Sequence, residues 1–276
     1  MLSRLLFNAK FYFIKILFLD KYILKTIKNN DPGIFKIKNT YFVDIPKVGS
    51  SSLKYLAAKE SKRFNILKIF FHSVPIHPAV TPVQNLKIIN NENKILIFIK
   101  SPEERLYSVY KEKILFSKFL FDFSLLNFRK FKSFKNTNQI KYKFNKDNNF
   151  LDFCEGIIKL NNFFYNNNLD IKYFDKHIIS QYDHIINLRK NYPNIINFKI
   201  IIYPVSKIDN VLKAITNKKN ISKLNTSERI NYDYKNDIFK SDIINKFYKK
   251  DEKLYKKLIS SEGGFLEMNY NSFDNI

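Results

Sequence analysis

One cysteine, Cys154, stands in the whole chain. It excludes an intrachain disulfide, a disulfide-stapled scaffold and a cysteine-based zinc site, and it fits a reducing, cytoplasmic setting. It lies in FLDFCEGI, a helix-like apolar stretch, and reads as a buried structural thiol. Tryptophan is absent, and only five glycines occur in 276 residues, so a glycine inside a loop is a signal rather than background. Acidic residues are in short supply: 25 Asp and Glu face 48 Lys and Arg, for a net charge of +23. That excess suits an anionic partner, although the same bias toward Lys, Asn, Ile, Phe and Tyr marks an AT-rich coding sequence. A spanning helix needs about 20 largely uncharged residues, and the N-terminal stretch MLSRLLFNAKFYFIKILFLDKYILK is broken by Lys10, Lys15 and Asp20. It has no small-residue cleavage site and does not read as a signal peptide. Residues 1–37 read instead as an amphipathic helical segment. It either packs on the core or, through residues 1–28, lies peripherally on a membrane.

What is present is a succession of strand–loop–helix units. Residues 40–45 read as a buried strand, 51–64 as a helix with Ser51 or Ser52 near its N-cap, and 66–71 as a second strand. KILIFI (94–99) is an apolar, β-branched strand, followed by a helix over 103–120 with Glu103 and Glu104 as dipole-favoured acids in its first turn. FKIIIY (198–203) precedes a helix near 207–217, and the C-terminal third reads as mostly helical. Such a series predicts an α/β fold: a three-layer domain over 38–276, with a central, mainly parallel sheet flanked by helices. Residues 117–150, basic and rich in Phe and Asn, read as an insertion. Ligands of such sheets bind beyond the carboxyl ends of the strands. Two unusual loops, 46–52 and 100–105, lie there.

In the first, YFVDIPKVGSSSLKYL, a strand breaks at Pro46 and Lys47 and re-forms as a helix. A helix N-terminus offers backbone N–H groups and a positive dipole end to an anion. Gly49 lets the backbone approach a ligand closely. Ser50, Ser51 and Ser52 add hydroxyls, and Lys47 adds a mobile cation. The order is not that of a nucleoside triphosphatase loop, in which Lys follows the second Gly. Strand 94–99 also ends in Lys100 rather than in a magnesium-binding acid. The loop therefore suits a phosphate-like group without a metal. In the second loop, KSPEERLYSVY, Lys100 ends the strand, and Arg105 and Ser108 are neighbours on one helix face. They form a second anion site.

IPKVGSSSL, followed about 50 residues later by KSPEERLYSVY, resembles the carbohydrate sulfotransferases, a branch of the sulfotransferase superfamily with a P-loop-like fold. The resemblance implies 3′-phosphoadenosine 5′-phosphosulfate as sulfuryl donor, no metal, and a carbohydrate acceptor rather than a nucleic acid. It implies that Lys47, flanked by Pro46 and Val48, binds the 5′-phosphate and follows the bridging oxygen. Gly49, Ser50, Ser51 and Ser52 complete that loop. Lys100 and Ser108 hold the 3′-phosphate, and Arg105 matches the motif's inner arginine, structural or ligand-binding. DKHIISQYDHI matches a further family segment through Asp175, His177 and Gln181, with Ser180 in place of a proline, so that His177 and Gln181 become acceptor-side candidates. LNTS (224–227) and FYKKDEKLY, with Asp251 between its aromatics, extend the likeness. There are departures. Lys100 stands where the family has an arginine, which keeps the charge and loses the bidentate fork, and Ser50 and Ser51 stand for a glycine and a threonine.

Sulfuryl transfer needs a base for the acceptor hydroxyl, a task that suits histidine near neutral pH. Of four histidines, His72 and His77 in FFHSVPIHP follow the second expected strand at the same sheet end, and His72 is the preferred base. His184 reads as a surface residue. The alternative is a non-catalytic protein that binds polyanions or nucleic acid through its charge and interleaved aromatics, with a relict phosphate loop.

Overall fold

The computed structural model describes residues 33–50, 52, 53, 56, 57, 94–115, 144, 147, 149–166, 177–217 and 240–276. The amphipathic N-terminal segment, the expected strand at 66–71, His72, His77, Ser51, Asp175, residues 224–227 and most of 117–150 lie outside the described residues.

Among the described residues, five strands form one sheet in the order β1 (Ile34–Ile37), β2 (Thr40–Val43), β3 (Lys94–Ile99), β4 (Lys199–Pro204) and β5 (Leu266–Asn269). β2, β3 and β4 are parallel, and β1 and β5 add antiparallel edges. This is the expected α/β architecture. Strand β3 is buried from Ile95 through Ile99, so both its faces are covered, as the continuous apolar run requires. β1 corrects the expected boundary: the sheet begins at Ile34, not after residue 37. A two-residue turn joins β1 to β2, with Ile37 paired to Thr40 and Lys38 at φ 52. A lysine in the left-handed region leaves no glycine to advertise the hairpin. β5 was also hidden, because LEMN is short and half-polar.

Helix α1 (Pro102–Tyr110) starts where Ser101 Oγ accepts from Glu104 N–H at 3.2 Å, with Pro102 at its first position. It passes into a π-helical turn, Lys111–Leu115. α1 packs with α2 (Phe150–Asn166) and α5 (Lys240–Phe247) in a core of their own. Cys154 is buried there as expected, and Tyr107 meets Phe150 edge-on at 5.2 Å. Phe144 also enters this core, so the stretch expected as an insertion contributes to the fold at that residue. The sheet core is closed by α3 (Gln181–Asn191), α4 (Ile208–Thr216) and α6 (Lys249–Ile259), through Ile185, Leu188, Leu212, Leu254 and Leu258.

Register sets the site. Ile99 pairs with Pro204, so Lys100 and Val205 leave the sheet at one level. Phe42 pairs with Leu96, so β2 stops earlier and residues 44–46 cover the remaining height.

Candidate functional site

The first loop turns sharply after Ile45 and enters a helix at Ser50. The Gly49 carbonyl accepts from the amides of Ser52 and Leu53, at 3.1 and 3.2 Å. Gly49 is therefore the capping position, two to three residues before Ser51 or Ser52, expected there. Ser50 is the first helical residue, so its N–H lies at the helix N-terminus, the end of a helix that suits an anion. Gly49 has φ 87, and a Cβ placed on it would stand 2.7 Å from Ile208 Cδ1. The glycine thus serves both the turn and the close approach of the β4–α4 connection. Val48 and Ser50 are both buried.

Lys47 has φ 71, a left-handed conformation that costs a non-glycine residue about 1–2 kcal/mol. Its ammonium is ion-paired with Glu112 of the π-helical turn. The lysine side chain is 12% exposed and the glutamate 46%.

The second loop is tied to the first. Arg105 is buried, and its Nε donates to the Pro46 carbonyl at 3.1 Å. Lys100 is held through its backbone: Gln181 Oε1 accepts from Lys100 N–H at 2.9 Å, and Gln181 Nε2 donates to the Lys100 carbonyl at 2.9 Å. Gln181 in turn rests on Asp251. The Asp251 carboxylate accepts from the backbone N–H groups of Gln181 (2.8 Å) and Tyr182 (2.7 Å) and from the Gln181 amide (3.4 Å). These bonds cap α3 from outside, beside the Ser180 hydroxyl, which accepts from Asp183 N–H at 2.9 Å. Burial pushes the Asp251 carboxyl above the usual range, opposed by the Arg105 charge and by the three hydrogen bonds. Burial also lowers the Lys100 ammonium, against the pull of Glu104 and with the push of Arg105. Ser108 is partly exposed on α1, one turn beyond Arg105.

At the carboxyl ends of β2 and β3, Arg105 is thus tied to Pro46, Lys100 to Gln181 and through it to Asp251, and Lys47 to Glu112. Gln181 spends both ends of its amide on Lys100. His177 is buried in the turn before α3. His184 is buried as well, against the expectation of a surface position. With Ser180 as the cap, positions 181, 184, 185 and 188 form the inward stripe of α3, and His184 falls on it. Glu112 escaped sequence reading, although its place four residues after Ser108 puts it at helical spacing from the second loop.

A family model described as the Sulfotransferase family matches residues 35–263, well over half of the chain. The match takes in both loops, α3 and α6. Comparison with curated proteins and with solved structures gives no match.

Proposed function

The chain belongs to the sulfotransferase family, and on that premise we propose that it moves a sulfuryl group from 3′-phosphoadenosine 5′-phosphosulfate to a hydroxyl of a carbohydrate, in a glycan or glycolipid. The observation that supports this most is the bond from Arg105 to the Pro46 carbonyl, which joins two cationic loops into one unit. A nucleotide with anionic groups at both its 5′ and 3′ positions needs such a pair of sites held at a fixed separation.

The residues suit the donor. Lys47, the Gly49 backbone and Ser50 meet the 5′-phosphosulfate. Lys100 and Ser108 meet the 3′-phosphate. Lys100, whose charge is disfavoured by burial, gains from a phosphate beside it. Gln181 serves here as a positioning residue for Lys100, and little of His177 is left open to an acceptor. In the reaction the acceptor oxygen attacks sulfur in line, the bond from sulfur to the bridging oxygen breaks, and adenosine 3′,5′-bisphosphate leaves. The hydroxyl proton passes to a base, His72 ahead of His77. Lys47 neutralises the charge that grows on the bridging oxygen, and positioning and electrostatics supply most of the acceleration.

The test is transfer of labelled sulfate from the donor to a panel of saccharides. At least one acceptor should be labelled by the wild type and none by Lys47→Ala. A protein that binds heparin with a steep salt dependence, transfers nothing and is indifferent to Lys47 would instead be the polyanion binder.

A further inference from the structure

We propose that Glu112 is the resident counter-ion of Lys47, and that the donor's 5′-phosphosulfate takes its place. The inference rests on the reading of Lys47 as a donor-binding residue. Three observations carry it.

The first is the ion pair itself, which joins residues 65 apart in sequence and spans the first loop and the turn that follows α1. The second is the backbone at Lys47. A φ of 71 on a lysine persists only where the surroundings over-determine it, and it aims this side chain inward, where 12% of it is exposed. The third is the turn bearing the carboxylate. Lys111–Leu115 is π-helical, and the extra residue per turn redirects Glu112 from the course that an α-helix would give it. Two locally unfavourable backbones therefore meet at one ion pair.

Glu112 is the more exposed partner, at 46% against 12% for the lysine. An anion arriving at Lys47 encounters a carboxylate already there. It cannot simply add to the pair, because the two negative charges of a phosphosulfate beside a carboxylate repel each other. It must displace Glu112. A monoanion has little advantage over the resident carboxylate, whereas a dianion anchored through a second phosphate at Lys100 has a large one. Glu112 is thus a specificity residue. It lowers the affinity for every anion at Lys47 and leaves a ligand with two separated anionic groups able to overcome the penalty. When the bisphosphate leaves, the carboxylate recaptures the ammonium and speeds release.

The experiment is calorimetric titration of the full chain with adenosine 3′,5′-bisphosphate, using the wild type, Glu112→Gln, Lys47→Ala and the double variant. Glu112→Gln should bind the nucleotide about threefold to tenfold more tightly than the wild type, the range of a partly exposed ion pair. In the Lys47→Ala background the same change should alter affinity less than about twofold, because Glu112 acts through Lys47. Unchanged or weaker binding by Glu112→Gln overturns the proposal. So does an equal gain in both backgrounds, which would be a general effect of charge. A wild type that binds and a Lys47→Ala that does not, with Glu112→Gln neutral, removes only the role of Glu112. A folded wild type that binds no nucleotide removes the donor reading and this inference with it.

Discussion

Arg105 Nε lies 3.1 Å from the Pro46 carbonyl, so the helix that follows the second loop holds the first loop in place. Arg105 is 1% exposed, and its charge is felt by the Asp251 carboxylate. Its charge is used inside the protein, where its Nε ties the second loop to the first, and the proposed donor contacts fall to Lys47 and Lys100.

Replacing Arg105 should therefore damage stability and binding together. Arg105→Met keeps much of the volume but leaves the buried Pro46 carbonyl without this donor, a class of change that costs about 1–3 kcal/mol. Chemical denaturation should show that loss. Titration of the surviving folded protein with adenosine 3′,5′-bisphosphate should show affinity reduced by about tenfold or more. Arg105→Lys should recover part of the stability and less of the affinity, because a lysine lacks the fixed geometry of the guanidinium.

Gly49→Ala should lower the melting temperature for two separable reasons. The φ of 87 is unfavourable for alanine, and the new methyl would stand 2.7 Å from Ile208 Cδ1. The combined cost is about 2–4 kcal/mol. Ile208→Val removes the clashing methyl, so the double variant should regain the steric part and keep the backbone part. Full recovery would show that the positive φ carries no cost.

The elements and loops that sequence made legible are those in which local chemistry and tertiary role agree. KILIFI is strand because an apolar, β-branched run suits a strand covered on both faces, and its bounds are as expected. Glu103 and Glu104 sit in the first turn of α1 for the reason their charge suggests. The hairpin at Lys38, β5 and the burial of His184 were hidden because each is imposed from a distance. Lys38 is held in the left-handed region by the pairing of its flanking strands, LEMN by the edge of β4, and His184 by the phase that the Ser180 cap sets. The partnerships of Gln181 with Lys100 and of Lys47 with Glu112 join residues 81 and 65 apart. No local pattern encodes them.

Lys100 gives a pH signature. Burial lowers its pKa from 10.5, so it sheds its proton at a lower pH than an ordinary lysine. Affinity for the bisphosphate should decline on the alkaline side, beginning below 10.5, as the ammonium becomes neutral. Lys100→Arg should abolish the decline, since a guanidinium stays charged throughout. A decline of the same shape in Lys100→Arg would assign it to another group. In the ligand-free protein the sign runs the other way for stability. The unfolded chain binds more protons at Lys100 in this window, so unfolding becomes harder as pH rises through it.

Asp251 has the opposite shift. Its folded pKa lies above the unfolded value near 3.8, so the folded state holds the extra proton in the window between them. This contribution to stability is complete below 3.8 and is lost as pH rises through the folded value. The difference in unfolding free energy between wild type and Asp251→Asn should vary over that window and be flat above it. Above it Asp251→Asn should be the less stable by about 1–3 kcal/mol, having given up an acceptor for buried backbone amides. A difference that does not vary with pH would contradict the assignment.

The central claim is that two anion sites are held together for one nucleotide. Calorimetry without added metal, comparing adenosine 3′,5′-bisphosphate with adenosine 5′-monophosphate, tests it most directly. The account predicts that the wild type binds the bisphosphate at least about tenfold more tightly than the monophosphate, and that Lys47→Ala loses most of that binding. Equal affinity for the two nucleotides, or bisphosphate binding untouched by Lys47→Ala, would contradict it.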